Sequence, residues 1–210
     1  MVLLGCMGEL FKDILGDNES LVLDSMALDP DFSKNNFLYL YFTYRSGGKT
    51  LNKVQRFIFK DDSLIPDKII IEGIAGSSNH DGGRIKFGPD RKLYITTGDA
   101  ENPKSAQDTS SLNGKILRYD GSRVEVYSYG HRNPQGLAWD KDGNLWSTEH
   151  GPSTKDEINL VKKGSNYGWP TITGSQTRGG METPIINSGI DTWAPSGAVI
   201  KDGKLYFAGL

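Results

Sequence analysis

Gly83-Arg84-Ile85-Lys86-Phe87-Gly88-Pro89-Asp90, followed almost at once by Leu93-Tyr94-Ile95-Thr96, reads as strand, tight turn and strand. Ile85 and Phe87, then Leu93 and Ile95, alternate with other residues, and a two-residue period marks a β-strand with one face turned to a core. Gly, Pro and Asp between the halves tolerate the backbone angles of a hairpin turn. The pattern recurs in residues 23–30 leading to Leu38-Tyr39-Leu40-Tyr41, 136–143 leading to Leu145-Trp146-Ser147, and 197–203 leading to Leu205-Tyr206-Phe207. The leucines that open the second strands, Leu38, Leu93, Leu145 and Leu205, lie 55, 52 and 60 residues apart.

Such a period fits a four-stranded propeller blade of roughly 40–50 residues plus loops. A parallel β-helix needs a shorter repeat. An α/β repeat needs an amphipathic helix in every unit, and none is visible. The long regular period also argues against a β-sandwich. Alternating runs at 53–59 and 123–127 supply further strands. The expected fold is all-β, a single-domain β-propeller over residues 1–210 with about four blades present. The last repeat stops at Leu210 and the first has little before it, so the ring is expected to be incomplete at both ends. Open edges of that kind invite aggregation and expose apolar rows, such as the one holding Leu205 and Phe207.

The bulk numbers agree. With 24 Lys+Arg against 26 Asp+Glu the net charge is −2, which offers no basic surface for nucleic acid. The 26 glycines and 10% aromatics suit a turn-rich β protein. The single cysteine, Cys6, rules out an internal disulfide. Its context, Leu3-Leu4-Gly5-Cys6, looks like a lipoprotein cleavage box, but no basic segment precedes it and the apolar run is too short. Val2–Cys6 reads instead as the remnant of a strand. No apolar run approaches the ~20 residues of a membrane span.

Three dense loops are more polar than packing requires. In Asn79-His80-Asp81-Gly82-Gly83-Arg84, His80 stands just before a strand. A lone histidine is more often structural than catalytic. In Tyr129-Gly130-His131-Arg132-Asn133-Pro134-Gln135-Gly136, an arginine fork suits a planar anionic ligand, or else ties down a loop carboxylate. Thr148-Glu149-His150-Gly151-Pro152 is followed by Asp156-Glu157-Ile158-Asn159-Leu160 and Asn166-Tyr167-Gly168-Trp169-Pro170. Gly-Pro kinks present free carbonyls, and calcium takes six to eight oxygens from carbonyls and carboxylates. Asp156 and Glu157 read equally well as solvated charges.

In order along the chain, these loops together with Thr97-Gly98-Asp99 and Leu112-Asn113-Gly114-Lys115-Ile116-Leu117-Arg118 resemble the glucose/sorbosone dehydrogenase family. Each motif is modest alone, and their ordered combination is specific. The resemblance covers nearly the whole chain and implies a six-bladed propeller. It implies oxidation of the anomeric carbon of an aldose to the lactone, with hydride passing to calcium-bound pyrroloquinoline quinone (PQQ). It implies His80 as general base, Arg132 beside the quinone carbonyl, and Asn133, His150 and Thr192 as further cofactor contacts. Gly151 and Pro152 are implied as carbonyl ligands of the cofactor's calcium, and Glu157 with the Tyr167 carbonyl as a separate structural calcium site. A periplasmic or extracellular setting and an unidentified electron acceptor go with the family. The family's C-terminal Lys and Arg cofactor anchors lie outside the chain, so residues 1–210 alone are expected to be inactive. Tyr119-Asp120-Gly121-Ser122-Arg123 is shorter than the loop most relatives carry, which is expected to remove part of the substrate-side wall. The competing readings are a non-catalytic ligand- or protein-binding propeller and a calcium-dependent lactonase.

Overall fold

A computed structural model describes residues 21–209; Val2–Cys6 and Leu210 lie outside them. Strands β1 (Leu21–Leu28), β2 (Phe37–Ser46), β3 (Lys49–Lys60) and β4 (Ser63–Ala75) form one antiparallel sheet in chain order. A second contains β5 (Ile85–Phe87), β6 (Leu93–Thr97), β7 (Lys115–Tyr119) and β8 (Val124–Tyr129). A third contains β9 (Pro134–Trp139), β10 (Leu145–Glu149), β11 (Glu157–Val161) and β12 (Ile186–Asn187). The hairpin β13 (Ala198–Lys201) and β14 (Lys204–Phe207) follows. The helix α1 (Phe32–Asn35) and a 3-10 turn at Pro103–Ala106 are short connectors. Among the described residues no helix is long and apolar enough to cross a membrane.

Each repeat unit seen in the sequence is the first hairpin of a sheet: β1–β2, β5–β6, β9–β10 and β13–β14. The sheets then pack face on face. Tyr39, Tyr41 and Val54 of the first sheet meet Ile85, Leu93, Ile95 and Leu117 of the second. From the second sheet's other face, Tyr94 and Ile116 meet Leu137, Leu145 and Val161 of the third. A fully buried apolar side chain of this size contributes ~1.5–3 kcal/mol, so these two seams dominate the cohesion. β2 is buried on both faces, because Leu38, Leu40 and Phe42 form another apolar cluster on the far side.

The innermost strands are also stitched together. The Ser25 hydroxyl donates to the Gly83 carbonyl and accepts from Ile85 N at 3.0 Å, joining β1 to the start of β5. Lys86 Nζ donates to the Leu137 carbonyl of β9 at 3.1 Å.

Strand parity sorts the loops. In a chain of antiparallel neighbours, every connection from an even to an odd strand emerges at one end. The connections β4–β5, β6–β7, β8–β9 and β10–β11 carry His80, Asp99, Arg132 and Gly151, and they meet at one end: His80 bonds Asp99, Asp99 N bonds the Arg132 carbonyl, and Arg132 Nη1 bonds the His150 carbonyl beside Gly151. The turns β1–β2, β5–β6 and β7–β8 lie at the opposite end. Residues 120–123 form the β7–β8 turn, and Tyr119, Asp120 and Gly121 line a cavity there with Asp29, Phe37, Arg56 and Arg91. That overturns the expectation that this short turn removes a substrate-side wall, since it faces away from His80. The apolar row expected to be exposed is also reversed. Leu205 and Phe207 are half-buried, with Phe207 against Trp193, while the Val199–Tyr206 cross-strand pair faces solvent.

Candidate active site

Asp99 is the hub of the loop end. It is 1% exposed, and its Oδ1 accepts a hydrogen bond from His80 Nδ1 at 2.9 Å. That bond leaves the Nε2 lone pair of His80 free to take a proton. Oδ2 accepts from Trp169 Nε1 at 2.8 Å, and Asp99 N donates to the Arg132 carbonyl at 2.8 Å. His80 and Arg132, 52 residues apart in sequence, thus meet through one carboxylate-bearing residue.

The backbone here is tightly built. His80 takes a left-handed conformation with φ 63°, a strain of order 1–3 kcal/mol for a residue with a Cβ. It is held by Ala100 N donating to its carbonyl at 3.0 Å. A Cβ at position 98 would fall 1.7 Å from that carbonyl oxygen, so Gly98 is demanded by the close approach. The loop's lower edge is pinned by Lys115, whose buried ammonium donates to the carbonyls of Ser105, Ala106 and Asn113 at 2.9, 3.1 and 2.6 Å. Burial pulls the Lys115 amine down to about 8.

The Arg132 guanidinium pairs with no carboxylate among the described residues. Its Nη1 donates to the His150 carbonyl at 3.3 Å, and its Cζ lies 5.4 Å from the Trp169 ring centroid. Burial lowers its proton affinity, partly offset by the charges of Asp99, Glu149 and Asp156. The reading in which this arginine ties down a loop carboxylate therefore does not describe the structure. Glu149 instead holds the Arg132 main chain, its Oε1 accepting from Arg132 N and from Asn133 N at 3.3 Å. The Asn133 side chain is buried; its oxygen accepts from Gly82 N at 3.1 Å and Gln135 Nε2 at 2.9 Å, which leaves its amide nitrogen to offer.

The Gly151-Pro152 kink is organised by Asp156, which is 2% exposed rather than solvated. One Asp156 oxygen accepts from Gly151 N at 2.8 Å, and the other from Trp193 N and Ala194 N at 2.6 and 2.9 Å. Thr192, on the surface, donates from its hydroxyl to the Ser153 carbonyl at 2.8 Å, and the His150 ring meets the Pro195 carbonyl at 2.9 Å. Thr192 and His150 thus flank the kink. Arg132, Gly151, Pro152, Glu157, Tyr167 and Trp169 share a cavity of about 10 Å³, room for one water-sized occupant.

Glu157 lies opposite Glu149 on β10, and Asn159 opposite Ser147, so one sheet face carries a buried polar column. Burial, and then the Glu149 charge, push the Glu157 carboxyl up to about 8. It accepts from Gly174 N at 2.9 Å and Asn159 Nδ2 at 3.3 Å. Asn159 Oδ1 is buried with no partner among the described residues. A costly carboxylate and an orphaned amide oxygen are hard-oxygen donors of the kind that fit calcium. Among the described residues no three acidic or histidine side chains gather into a metal site, so backbone carbonyls would have to complete the shell.

The Glucose / Sorbosone dehydrogenase family profile matches residues 18–209. The chain belongs to the glucose/sorbosone dehydrogenase family. It is 31% identical to quinoprotein glucose dehydrogenase B of Acinetobacter calcoaceticus, over 93% of this chain and 49% of that one. It is 34% identical to the aldose sugar dehydrogenase of Escherichia coli, over 82% of this chain and 52% of that protein. The PQQ-bound aldose sugar dehydrogenase of Streptomyces coelicolor superposes with a TM-score of 0.83 at 37% identity, covering 93% of this chain and 62% of the other. The chain spans about half the length of the curated relatives it matches.

Asp99, Glu149 and Trp169 lie inside the motifs quoted above, yet nothing in their local sequence marks their roles. The only signal was their presence in polar loops, because each acts through a partner distant in the chain.

Proposed function

We propose that the whole protein carrying this chain is a PQQ- and calcium-dependent aldose sugar dehydrogenase. In this reading it is a single-domain, six-bladed propeller of which this chain supplies about four blades, working in the periplasm or outside the cell. The observation that carries the proposal is the meeting of His80 and Arg132 at Asp99, with the Gly151-Pro152 kink alongside.

His80 Nε2 takes the proton of the anomeric hydroxyl, and Asp99 stabilises the imidazolium that results. Bound PQQ would supply the hydride acceptor for the anomeric carbon, and calcium held beside it would supply the polarising charge. Loss of that proton and hydride converts the hemiacetal carbon to the lactone carbonyl. Arg132, which pairs with no carboxylate among the described residues, places a fixed positive charge where negative charge develops, and preorganised charge of this kind is usually the largest catalytic term. The carbonyls of Gly151 and Pro152 hold the cofactor's calcium, while Asn133, His150 and Thr192 line the cofactor. Glu157 and the Tyr167 carbonyl hold a second, structural calcium.

The test is reconstitution of the whole protein with calcium and PQQ, followed by aldose-dependent dye reduction. Turnover that requires PQQ supports the reading, and a protein that binds PQQ but oxidises no aldose removes it.

A further inference from the structure

Trp169 joins the two groups on which the proposed chemistry depends. It sits in the 162–185 connection, which climbs beside β8: Tyr167 N donates to the Tyr129 carbonyl at 2.8 Å and Trp169 N to the Gly130 carbonyl at 2.9 Å. From the other side, Gln107 Nε2 donates to the Trp169 carbonyl at 2.7 Å. Gln107 and Asn166 exchange amide hydrogen bonds at 3.0 and 2.8 Å. The main chain of Trp169 is therefore held on both flanks, and its ring has a fixed place.

That ring makes two different contacts. Its edge donates from Nε1 to Asp99 Oδ2, while Asp99 Oδ1 accepts from His80 Nδ1 and from Glu101 N, each at 2.9 Å. Its face lies under the Arg132 guanidinium. A carboxylate that accepts a second strong hydrogen bond has less charge to offer at its other oxygen. A cation over an indole face gains roughly 0.5–2 kcal/mol, most where water is excluded.

We propose that Trp169 is a positioning residue: its N–H shares the Asp99 carboxylate with His80 and so tunes the base, and its face holds Arg132 towards the quinone. This rests on the dehydrogenase reading of the site. The other charged groups facing His80 are Asp81 and Glu101, and both carry their own hydrogen bonds, from Asn52 and Ser77 to Asp81 and from Ser77, Ser78 and Asn79 to Glu101.

The variants are Trp169→Phe, which loses the donor and keeps a face, and Trp169→Leu, which loses both. Benzothienylalanine incorporated at position 169 removes the N–H without changing ring shape and serves if Trp169→Phe is poorly folded. In the cofactor-free whole protein, the Nδ1 proton of His80 is followed by NMR, with His131 and His150 as internal controls. Loss of the N–H should move the His80 proton further downfield and leave the His131 resonance in place. With calcium, PQQ and an aldose, Trp169→Phe should lower kcat about tenfold at unchanged sugar KM, the scale of one hydrogen bond to a charged group. Trp169→Leu should additionally weaken PQQ binding. An unmoved His80 proton in a folded donor-less variant overturns the proposal, as does equal PQQ affinity in all variants. Absence of aldose oxidation in the unsubstituted protein would count against the dehydrogenase reading, while the His80 proton would still test the Trp169–Asp99 link.

Discussion

Glu149 and His131 form a buried pair, Nδ1 of the imidazole donating to Oε2 of the carboxylate at 2.9 Å with neither side chain more than 4% exposed. The Ser128 hydroxyl meets His131 Nε2 at 2.8 Å, and the ring stacks on Tyr167 with centroids 4.7 Å apart. The second Glu149 oxygen holds Arg132 N and Asn133 N, so one carboxylate fixes the loop presenting both residues. Glu149→Ala leaves several buried donors unsatisfied and should destabilise by about 3 kcal/mol in urea unfolding. Glu149→Gln should lose much less, because the amide oxygen still accepts and the imidazole can donate from Nε2 to Ser128. A Glu149→Ala loss below about 1 kcal/mol would show that the loop is held by something else.

Gly98→Ala should displace His80, since the added carbon would lie 1.7 Å from the His80 carbonyl oxygen. A loss of more than about 2 kcal/mol is expected. Among the described residues no atom lies within 4 Å of a carbon added at Gly179, so Gly179→Ala should be neutral or slightly stabilising. Thermal melts of the two variants compare them directly, and equal melting temperatures would refute the close-approach argument.

Lys115 makes stability depend on alkaline pH. Its amine is pulled down from 10.5 to about 8 by burial, so between those values the unfolded chain holds a proton that the folded chain has released. Stability from this group is flat below about pH 8 and rises with pH through that window. Lys115→Met removes the titration and strands three carbonyls. Its deficit relative to the unsubstituted protein should therefore grow by on the order of 2–3 kcal/mol from pH 7 to pH 10.5. A deficit that stays constant or shrinks would contradict this sign.

Calcium should raise the melting temperature even without PQQ, through the Glu157 site. At a hundredfold excess over Kd, binding to the folded state alone contributes about 2.7 kcal/mol. Glu157→Gln should abolish most of that increment. An increment unchanged in Glu157→Gln would place the responsible calcium elsewhere.

The repeats were legible because alternation and turn residues are local signals: 85–87 with 93–96, or 136–139 with 145–147, announce a hairpin without knowledge of anything distant. His80, Arg132 and the Gly151-Pro152 kink stood out as polar insertions between apolar strands. What spacing hid was pairing. Asp99 lies 19 residues from His80 and 70 from Trp169, and only the fold brings them within hydrogen-bond reach. The burial of Asp156 was hidden for the same reason, since its partners Trp193 and Ala194 belong to a later loop. The 120–123 turn was misplaced because loop length was weighed without strand parity, which puts that turn at the opposite end.

The most direct measurement compares the whole protein with its His80→Ala variant, both loaded with calcium and PQQ, for aldose-dependent dye reduction and for PQQ affinity. Loss of the general base should lower turnover by about 10²–10⁴-fold while PQQ still binds through calcium and Arg132. Turnover unchanged in His80→Ala, at equal PQQ occupancy, would contradict the assignment of the His80–Asp99 pair as the base.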